Sequence, residues 1–420
     1  MMNTPNQTVP EQVMFGLVGG ESPLLMANPF ALFAQLRSMG AVVPVPFPRA
    51  GAHHQAWAVT RLEEAVQVLK DHEHFTLDAH SLGIDGFLGQ SSAETADAPT
   101  FFTSKSLLSV DEPDHRRLRL LVSKGFTPRY IESLRPRIQQ IADGLLDRVQ
   151  GQGQMELVAD YAFPLPINVI AEMLGIPESD WAQIRVWSEA IATGSSLSRH
   201  DPEGEAHKRA FGVYAAGLVE NLRQHPGEDL TSKLIAIEEE GDRLSEAELI
   251  SMITLLIFAG HETTTNLIGS STLMLLDHPE QLARLKADLS LVPAAVEELL
   301  RFTGPVTHSA PRFATEDIEL AGKSIKRGDI VIPFLLSANH DEMQFSDPEE
   351  LEIARQIQRH LAFGQGIHTC LGAPLARLEG AIAFTTLLGR MPNLRLNVPR
   401  ENITWRTSDL RGLAALPVAF

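Results

Sequence analysis

The chain has 420 residues, and 35 Lys and Arg against 53 Asp and Glu give a formal net charge of −18. So acidic a balance argues against a general nucleic-acid-binding protein, because such proteins need basic surfaces to neutralise phosphates. With 44% hydrophobic and 21% charged residues, the composition is typical of a globular chain and not of a disordered one.

The N-terminus and the cysteine content indicate the compartment. The first residues lack a basic region followed by an apolar stretch, so they do not predict a secretory signal. The longest apolar run, residues 249–260, contains Ser and Thr and is shorter than the roughly 18 apolar residues of a membrane span. Cys370 is the only cysteine, which excludes an internal disulfide and a Cys-rich zinc site. We therefore expect a cytoplasmic protein without a membrane anchor.

Helical periodicity dominates from Arg61 onward, after a first segment with one helix and two short extended pieces. The sequence predicts helices over residues 30–39, 62–69, 116–124, 138–149, 158–174, 181–192 and 206–222, and strands over 41–47 and 55–60. Residues 318–334 predict a small sheet around turns at 321–322 and 327–329. These elements predict a mainly α protein with a small β-rich lobe.

A long loop is predicted between Phe75 and Asp114, where the helical pattern gives way to Gly, Ser, Asp and Pro. Loops of this length in compact proteins are usually functional or mobile. Its scattered apolar residues either line a ligand pocket or cover the core, and the sequence does not decide between the two.

Ser245 and Glu248 form a capping-box pattern that opens an unusually long helix. The pattern stays helical until Asp277-His278-Pro279, which gives about 31 residues, or roughly 46 Å. Its centre, HETTTN at residues 261–266, is polar between apolar flanks. Burying these groups costs free energy unless each one finds a partner or a ligand.

Cys370 lies in the segment HLAFGQGIHTCLGAPLAR, just before a helical pattern that begins at about Leu371. A helix N-terminus stabilises a thiolate through its dipole and free N–H groups, and the nearby glycines let the backbone turn toward sulfur. A buried, unreactive cysteine is the structural alternative. The residues alone leave open a nucleophile, a regulatory redox thiol and an axial ligand to haem iron.

Four motifs occur in an order that resembles the cytochrome P-450 superfamily in its soluble bacterial form, from about residue 28 to the C-terminus. The most specific is F-G-x-G-x-H-x-C-x-G, at residues 363–372. The others are A-G-x-E-T, at residues 259–263, E-x-x-R, at residues 298–301, and H-x-x-x-R, at residues 115–119. The resemblance implies residues 28–420 as a single domain of the family fold after an N-terminal extension, residues 1–27.

The resemblance also implies haem b, with Cys370 as the ligand of its iron. The other residues expected around the cofactor are Phe363 in the cysteine loop and the propionate-binding residues His115, Arg119, Arg312 and His368. On the oxygen-binding side, Ala259 and Gly260 are expected to leave space for dioxygen, while Glu262 and Thr263 organise water for proton delivery. Threonine hydroxyls that bond back to the helix backbone are the structural alternative.

Two further groups of residues are assigned from the resemblance, and a third from a cluster of basic residues in this acidic chain. Glu298 and Arg301, completed by Arg355, are expected to have a structural role. The expected substrate pocket is mostly apolar, which favours a hydrophobic substrate, and comprises Leu82, Phe87, Leu88, Leu255, Ala259, Val306 and Leu410. A basic face for an acidic ferredoxin is expected at Arg116, Arg117, Lys124, Arg359 and Arg377.

The resemblance as a whole implies a monomeric haem-thiolate monooxygenase that inserts one atom of dioxygen into a small molecule. Its electrons would come from NAD(P)H through a reductase and a ferredoxin. Two alternatives remain at this point. One is a peroxide-driven haem-thiolate enzyme, and the other is a haem-thiolate sensor without catalysis.

Overall fold

The computed structural model describes residues 22–46, 55–84, 99–100, 105–193, 202–239, 244–357 and 359–420. Helices dominate these ranges. In chain order they are α1 Pro23–Ala27, α2 Phe30–Met39, α3 Leu62–Lys70, α4 Asp114–Ser123, α5 Pro128–Ser133, α6 Arg135–Val149, α7 Pro164–Leu174, α8 Trp181–Thr193, α9 Pro202–Gln224, α10 Leu230–Glu239, α11 Glu246–Asp277, α12 Pro279–Ala287, α13 Val292–Thr303, α14 Leu335–Ala338 and α15 Ala373–Arg390. None of these helices combines the length and apolar character that crossing a bilayer requires.

The strands of the described ranges form small sheets. They are β1 Val42–Val45, β2 Ala56–Val59, β3 Phe75–Thr76, β4 Gln154–Glu156, β5 Arg312–Ala314, β6 Ile318–Leu320, β7 Lys323–Ile325, β8 Ile330–Pro333, β9 Arg395–Leu396 and β10 Pro417–Ala419. The largest sheet has the order β1-β2-β8-β5-β3, with β2 and β8 parallel and the other pairs antiparallel. A second sheet has the order β4-β10-β9, and β6 and β7 form a hairpin. The predicted fold class, mainly α with a small β-rich lobe, is confirmed.

The long helix α11 has 32 residues and begins at the predicted capping box. The Ser245 side chain accepts the Glu248 N–H, and the Glu248 carboxylate accepts the Ser245 N–H at 2.8 Å. Helix α11 is buried over residues 249–257 and 264–275, and it packs against α7, α9, α13 and α15. It therefore runs through the core and holds its polar centre inside the protein.

The predicted helix over residues 158–174 is wrong in its first part. Val158–Ala162 forms a π-helical turn, and α7 begins only at Pro164. Pro164 and Pro166 have no N–H, so they fit the first turn of a helix but would break hydrogen bonds in the middle of one. Helices α10 and α12 are not predicted from the sequence.

The first described residues are packed into the body. Ser22 caps α1, and Met26 is fully buried. The buried Arg411 donates hydrogen bonds to the carbonyl oxygens of Met26 at 2.7 Å and Ala27 at 3.2 Å. The packed body thus includes residues before 28, which the sequence analysis assigns to the N-terminal extension.

Glu298 and Arg301 of α13 form a fully buried ion pair. Arg301 Nε lies 2.7 Å from Glu298 Oε2, and Arg355 Nε lies 3.0 Å from Glu298 Oε1. Arg301 also donates to the carbonyl oxygens of Asn339 and Pro348, each at 2.9 Å. These bonds fasten the irregular segment before the cysteine loop to α13, which is the geometry of a structural cluster.

Replacing Arg301 with Met should destabilise the protein strongly. Removing one partner of a buried ion pair leaves the other charge uncompensated, at a cost of about 3–5 kcal/mol. Arg284→Met is the matched control, because Arg284 and Glu352 form an exposed pair at 2.6 Å whose loss should cost less than about 1 kcal/mol. Urea unfolding followed by circular dichroism measures both variants. Equal unfolding midpoints would contradict a stabilising role for the buried pair.

Candidate functional site

Cys370 lies two residues before Gly372, the N-cap of α15. The Cys370 N–H donates to the Phe363 carbonyl at 2.9 Å, which closes the glycine-rich loop. Gly366 has a positive φ of 78°, and a Cβ there would overlap the Leu69 carbonyl oxygen at the end of α3. Glycine at 366 is therefore required by both backbone conformation and close packing.

Opposing effects act on the pKa of the Cys370 thiol. Burial raises the pKa of the thiol, while hydrogen bonds from the Gly372 and Ala373 N–H groups and the charge of Arg119 oppose that rise. The side chain is nevertheless accessible. A group that is both accessible and desolvated faces an enclosed space, so the thiol points into the body of the protein and not into bulk water.

The centre of α11 also has one accessible face. Ala259 is exposed and Thr263 is half-buried, although Ile257, His261 and Thr264 around them are buried. Ala259 and Thr263 are four residues apart and so share one side of the helix. The Thr263 hydroxyl donates to the Ala259 carbonyl at 3.0 Å, which is the back-bonding expected as the structural alternative.

Gly260 occupies a different side of α11 from Ala259. A Cβ at Gly260 would lie 2.7 Å from Ile170 Cγ1 of α7. Close packing between α11 and α7 therefore accounts for this glycine by itself. Of the two residues that the sequence analysis expects to leave space for dioxygen, only Ala259 is exposed.

Two predicted propionate ligands, His115 and His368, lie side by side. Their ring centroids are 4.3 Å apart, and the Nε2 atom of each is buried without a hydrogen-bond partner among the described residues. Burial and the neighbouring His368 and Arg119 lower the pKa of His115 to about 4, so its ring is neutral at pH 7. His115 can therefore donate a hydrogen bond to an anion without carrying charge.

Arg312 and Arg119 complete this group. Arg312 is 3% exposed, and its Nε and Nη1 atoms have no partner in the described part of the chain. Burial lowers the pKa of both arginines, which shows that their positive charge is only partly compensated. Buried guanidinium nitrogens without acceptors are rare unless a ligand supplies the acceptors.

Asp111 belongs to the same cluster and is not predicted from the sequence. Burial by itself would raise its pKa, but His368, the Thr76 hydroxyl and the Leu77 N–H together lower it. The Thr76 hydroxyl lies 2.5 Å from Asp111 Oδ2. Asp111 is thus ionised, and its Oδ1 atom lies 3.9 Å from His368 Nε2, a close approach without a hydrogen bond. A single Asp in the segment Asp111-Glu112-Pro113 carries no sequence signal for this position.

The residues present fit haem b. Cys370 can supply a thiolate to the iron, and two arginines with two histidines can satisfy two propionate carboxylates. The main support for haem b comes from side-chain nitrogens of Arg312 and His115 that are buried without hydrogen-bond partners. They need acceptors that the described part of the protein does not provide.

Glu262 is fully buried and paired with an arginine that the sequence analysis missed. Arg406 Nη2 binds Glu262 Oε1 and lies 2.6 Å from Asn266 Oδ1. Arg406 belongs to no recognisable motif, and its position 144 residues from Glu262 could be found only from the folded chain.

The predicted substrate-pocket residues are found in several environments. Leu82 packs beside the cluster around Phe33 and Phe313, while Val306 packs beside the cluster around Val331. Leu255 is buried in the main core, and Ala259 and Leu410 retain accessible surface. Phe87 and Leu88 lie outside the described residues.

The predicted basic face is partly neutralised. Arg117 pairs with Glu248, Arg359 lies 2.9 Å from Glu63, and Arg377 lies 2.6 Å from Glu297. Arg116 and Lys124 are exposed and form no ion pair within the described ranges. A surface groove of about 680 Å³ follows the same helix, and is lined by Pro113, Arg116, Arg117, Leu120, Leu121, Ser123 and Lys124.

Comparison with known proteins identifies relatives over nearly the whole chain. Residues 213–404 match the family model described as "Cytochrome P450". Cytochrome P450 CYP107DY1 of Priestia megaterium is 46% identical over 369 residues, which cover 87% of this chain and 90% of that protein. The polyketide biosynthesis cytochrome P450 PksS of Bacillus subtilis is 43% identical over 411 residues, which cover 97% of this chain and 99% of that protein.

A solved structure agrees with the fold as well. The myxobacterial cytochrome P450 CYP267B1, crystallised with myristic acid, superposes with a TM-score of 0.85 at 41% sequence identity. The match covers 95% of this chain and 98% of that chain. Both the helical body and the small sheets are therefore shared with it.

Gly366→Ala should disrupt the cysteine loop. The new Cβ would overlap the Leu69 carbonyl oxygen, and the positive φ would strain the backbone by about 1 kcal/mol or more. Gly372→Ala is the control, because a Cβ there meets nothing within 4 Å. The thermal unfolding midpoint and the Soret absorbance per mole of protein measure the effect. Equal behaviour of the two variants would show that the loop tolerates a side chain at 366.

Proposed function

The chain belongs to the cytochrome P450 family and is a haem-thiolate monooxygenase with haem b, and we propose that Cys370 is the ligand of its iron. The accessible but desolvated sulfur at the N-terminus of α15 supports this assignment. His115, Arg119, Arg312 and His368 would hold the propionates, with Asp111 beside His368. When bound, the haem supplies the activation of dioxygen that no amino-acid side chain can supply.

The overall reaction fixes what the protein must provide. A substrate R–H, dioxygen, NAD(P)H and one proton give R–OH, water and NAD(P)⁺. One oxygen atom enters the substrate, and the other leaves as water after receiving two protons and two electrons. If protons are not delivered in order, the same two electrons reduce dioxygen to hydrogen peroxide and the substrate is released unchanged.

Cys370→Ser tests the thiolate assignment. We expect the reduced, carbon monoxide-bound protein to lose the red-shifted Soret band, because a hydroxyl is a far poorer anionic ligand than a thiol at neutral pH. The absorption spectrum of the purified protein is the measurement. A variant that keeps both that band and full monooxygenase activity would show that another residue binds the iron.

We propose that Thr263 and Glu262 deliver protons to the accessible face of α11. The Thr263 hydroxyl lies on that face beside Ala259, and the buried Glu262 is the adjacent acid. Glu262 Oε2 has no partner among the described residues, so an ordered water chain can meet it. The back-bond from Thr263 to Ala259 is compatible with this role, because a hydroxyl that donates one hydrogen bond still accepts others.

Thr263→Ala should uncouple the enzyme. NADPH consumption should continue, because electron delivery does not use this hydroxyl. Product per NADPH should fall about fivefold or more while hydrogen peroxide rises, since positioned proton donors contribute on the order of 100-fold to a rate.

Thr272→Ala is the control for the proton-delivery role. The Thr272 hydroxyl makes the same kind of back-bond on α11, to the Ile268 carbonyl at 2.8 Å, but lies in the buried part of the helix. It should remain coupled. Full coupling in Thr263→Ala as well would leave backbone bonding as the only role of its hydroxyl.

We propose a hydrophobic small-molecule substrate, such as a fatty acid, a steroid, a terpenoid or a polyketide. Leu82, Leu255, Ala259, Val306 and Leu410 are apolar, which supports this class. Myristic acid, present in the CYP267B1 crystal, is a suitable first probe. Displacement of the iron-bound water shifts the Soret band, and the absence of any shift with apolar ligands would contradict the class.

We propose that an acidic ferredoxin docks on the groove along α4. We also propose that the chain acts in the cytoplasm as a monomer, with one catalytic domain over residues 28–420. Arg116 and Lys124 are exposed there without acidic partners in the described chain, which supports the docking face. Light scattering of the purified protein checks the monomer, and fractionation of the producing cells checks the compartment.

Arg116→Glu should slow reduction by a ferredoxin about tenfold at low salt, because opposite charges accelerate encounter. The difference from wild type should shrink as salt shortens the Debye length to ~8 Å at 0.15 M. Stopped-flow reduction measures the rate, and Arg395→Glu on β9 makes the same charge change elsewhere. Equal rates for Arg116→Glu and wild type at every salt concentration would remove this docking face.

A further inference from the structure

A hairpin near the end of the chain, residues 404–414, is docked on the centre of α11. Trp405 pairs with Leu413, the Arg406 N–H donates to the Gly412 carbonyl at 2.9 Å, and the Ala414 N–H donates to the Thr404 carbonyl at 2.9 Å. A Cβ at Gly412 would overlap the side-chain amide of Asn266. The hairpin backbone therefore lies directly against α11, one helical turn from Glu262.

Arg406 is the charged link between this hairpin and Glu262. Its Nη2 atom binds both Glu262 Oε1 and Asn266 Oδ1, and Asn266 Nδ2 lies 3.4 Å from the same Glu262 oxygen. Glu262 has no exposed surface, and the Arg406 side chain is 15% exposed. One oxygen of the carboxylate is thus fixed by two neighbours in a setting that water screens poorly.

The other oxygen, Glu262 Oε2, is left free. It is buried without a hydrogen-bond partner among the described residues, and His261 Nε2 lies 4.0 Å away. His261 Nδ1 lies 2.6 Å from the Ile257 carbonyl, which only accepts, so Nδ1 carries the hydrogen and Nε2 is an acceptor. Burial lowers the pKa of His261 and keeps the ring neutral, so His261 does not compete for Oε2 as a donor.

We propose that Arg406 is a positioning residue, which fixes Glu262 through Oε1 and leaves Oε2 as the oxygen that accepts and passes protons. The hairpin that carries Arg406 also carries Leu410, so the same small element contacts the proton-delivery acid and borders the expected substrate pocket. This inference rests on the proton role proposed above for Glu262. It goes beyond that role because it says that Arg406, a residue far away in the sequence, fixes the orientation of the Glu262 carboxylate.

A purely structural role for Arg406 makes a different prediction. If Arg406 only neutralises a buried charge, Arg406→Lys should behave like wild type. A lysine keeps the charge but has a compact ammonium group without the planar fork that serves Glu262 and Asn266 together. If positioning matters, Arg406→Lys should keep its Soret band and thermal stability but lose coupling.

The experiment compares Arg406→Lys, Arg406→Met and Gly412→Ala with wild type, using myristic acid as the substrate probe and the holoenzyme throughout. Product per NADPH should fall about threefold or more in all three, because a displacement of about 1 Å can cost up to 100-fold. The solvent isotope effect on product formation should rise, since proton transfer becomes slower. Arg400→Lys is the control, because Arg400 pairs with Asp277 at 2.9 Å on the exposed side of the same terminal segment.

Glu262→Gln separates the two hypotheses. If Glu262→Gln stays coupled, the proposed proton role of Glu262 fails, and the inference about Arg406 falls with it. If Glu262→Gln uncouples the enzyme while Arg406→Lys, Arg406→Met and Gly412→Ala remain coupled, only the inference about Arg406 is overturned. The double variant Glu262→Gln with Arg406→Met should be no less coupled than Glu262→Gln alone, because both changes disable the same group.

Hydrogen exchange provides a readout that does not depend on turnover. The amides of Arg406 and Ala414 should exchange faster in Glu262→Gln than in wild type, because the ion pair holds the hairpin on α11. Unchanged protection of these amides would contradict the proposed link between Arg406 and Glu262.

If Arg406→Met fails to yield a protein with a Soret band, the coupling measured in Arg406→Lys and Gly412→Ala still decides the outcome.

Discussion

The rest of the structure depends on the burial of the polar centre of α11. In a helix of 32 residues that runs through a core, each polar side chain without a partner costs free energy. Thr254, Thr263 and Thr272 bond back to carbonyl oxygens of the preceding turn. Glu262 cannot be satisfied in that way, so it requires a partner from another part of the chain, and the hairpin with Arg406 provides one.

A second constraint lies at the cysteine loop, where a strongly acidic protein concentrates positive charge. Arg119 and Arg312 are desolvated without full compensation, and the neutral His115 stands beside them. The charge of Arg119 also opposes the rise in the Cys370 pKa that burial causes. Two carboxylates and a metal that binds thiolate would satisfy the arginines and the sulfur together, which is why haem b suits this set of residues.

Two buried arginine–glutamate pairs illustrate how similar interactions serve different ends. Arg301 uses all its nitrogens on Glu298 and nearby carbonyl oxygens, so its pair is closed and holds the chain together. Arg406 leaves Glu262 Oε2 and its own Nε without partners among the described residues. The Arg301–Glu298 pair, with all its guanidinium nitrogens bonded, stabilises the fold. The Arg406–Glu262 pair orients the carboxylate and leaves one of its oxygens available.

The sequence by itself determined the helical class, the start and end of α11 and the glycine-rich character of the cysteine loop. These features depend on local rules, such as capping, apolar period and glycine at positive φ, that act within a few residues. Tertiary structure decided what local rules cannot reach. It placed Asp111 beside His368, gave Gly260 a packing role against Ile170, and brought Arg406 to Glu262. The physical reason is that a long-range ion pair has no periodic or spacing signal, because its partners meet only after the chain has folded.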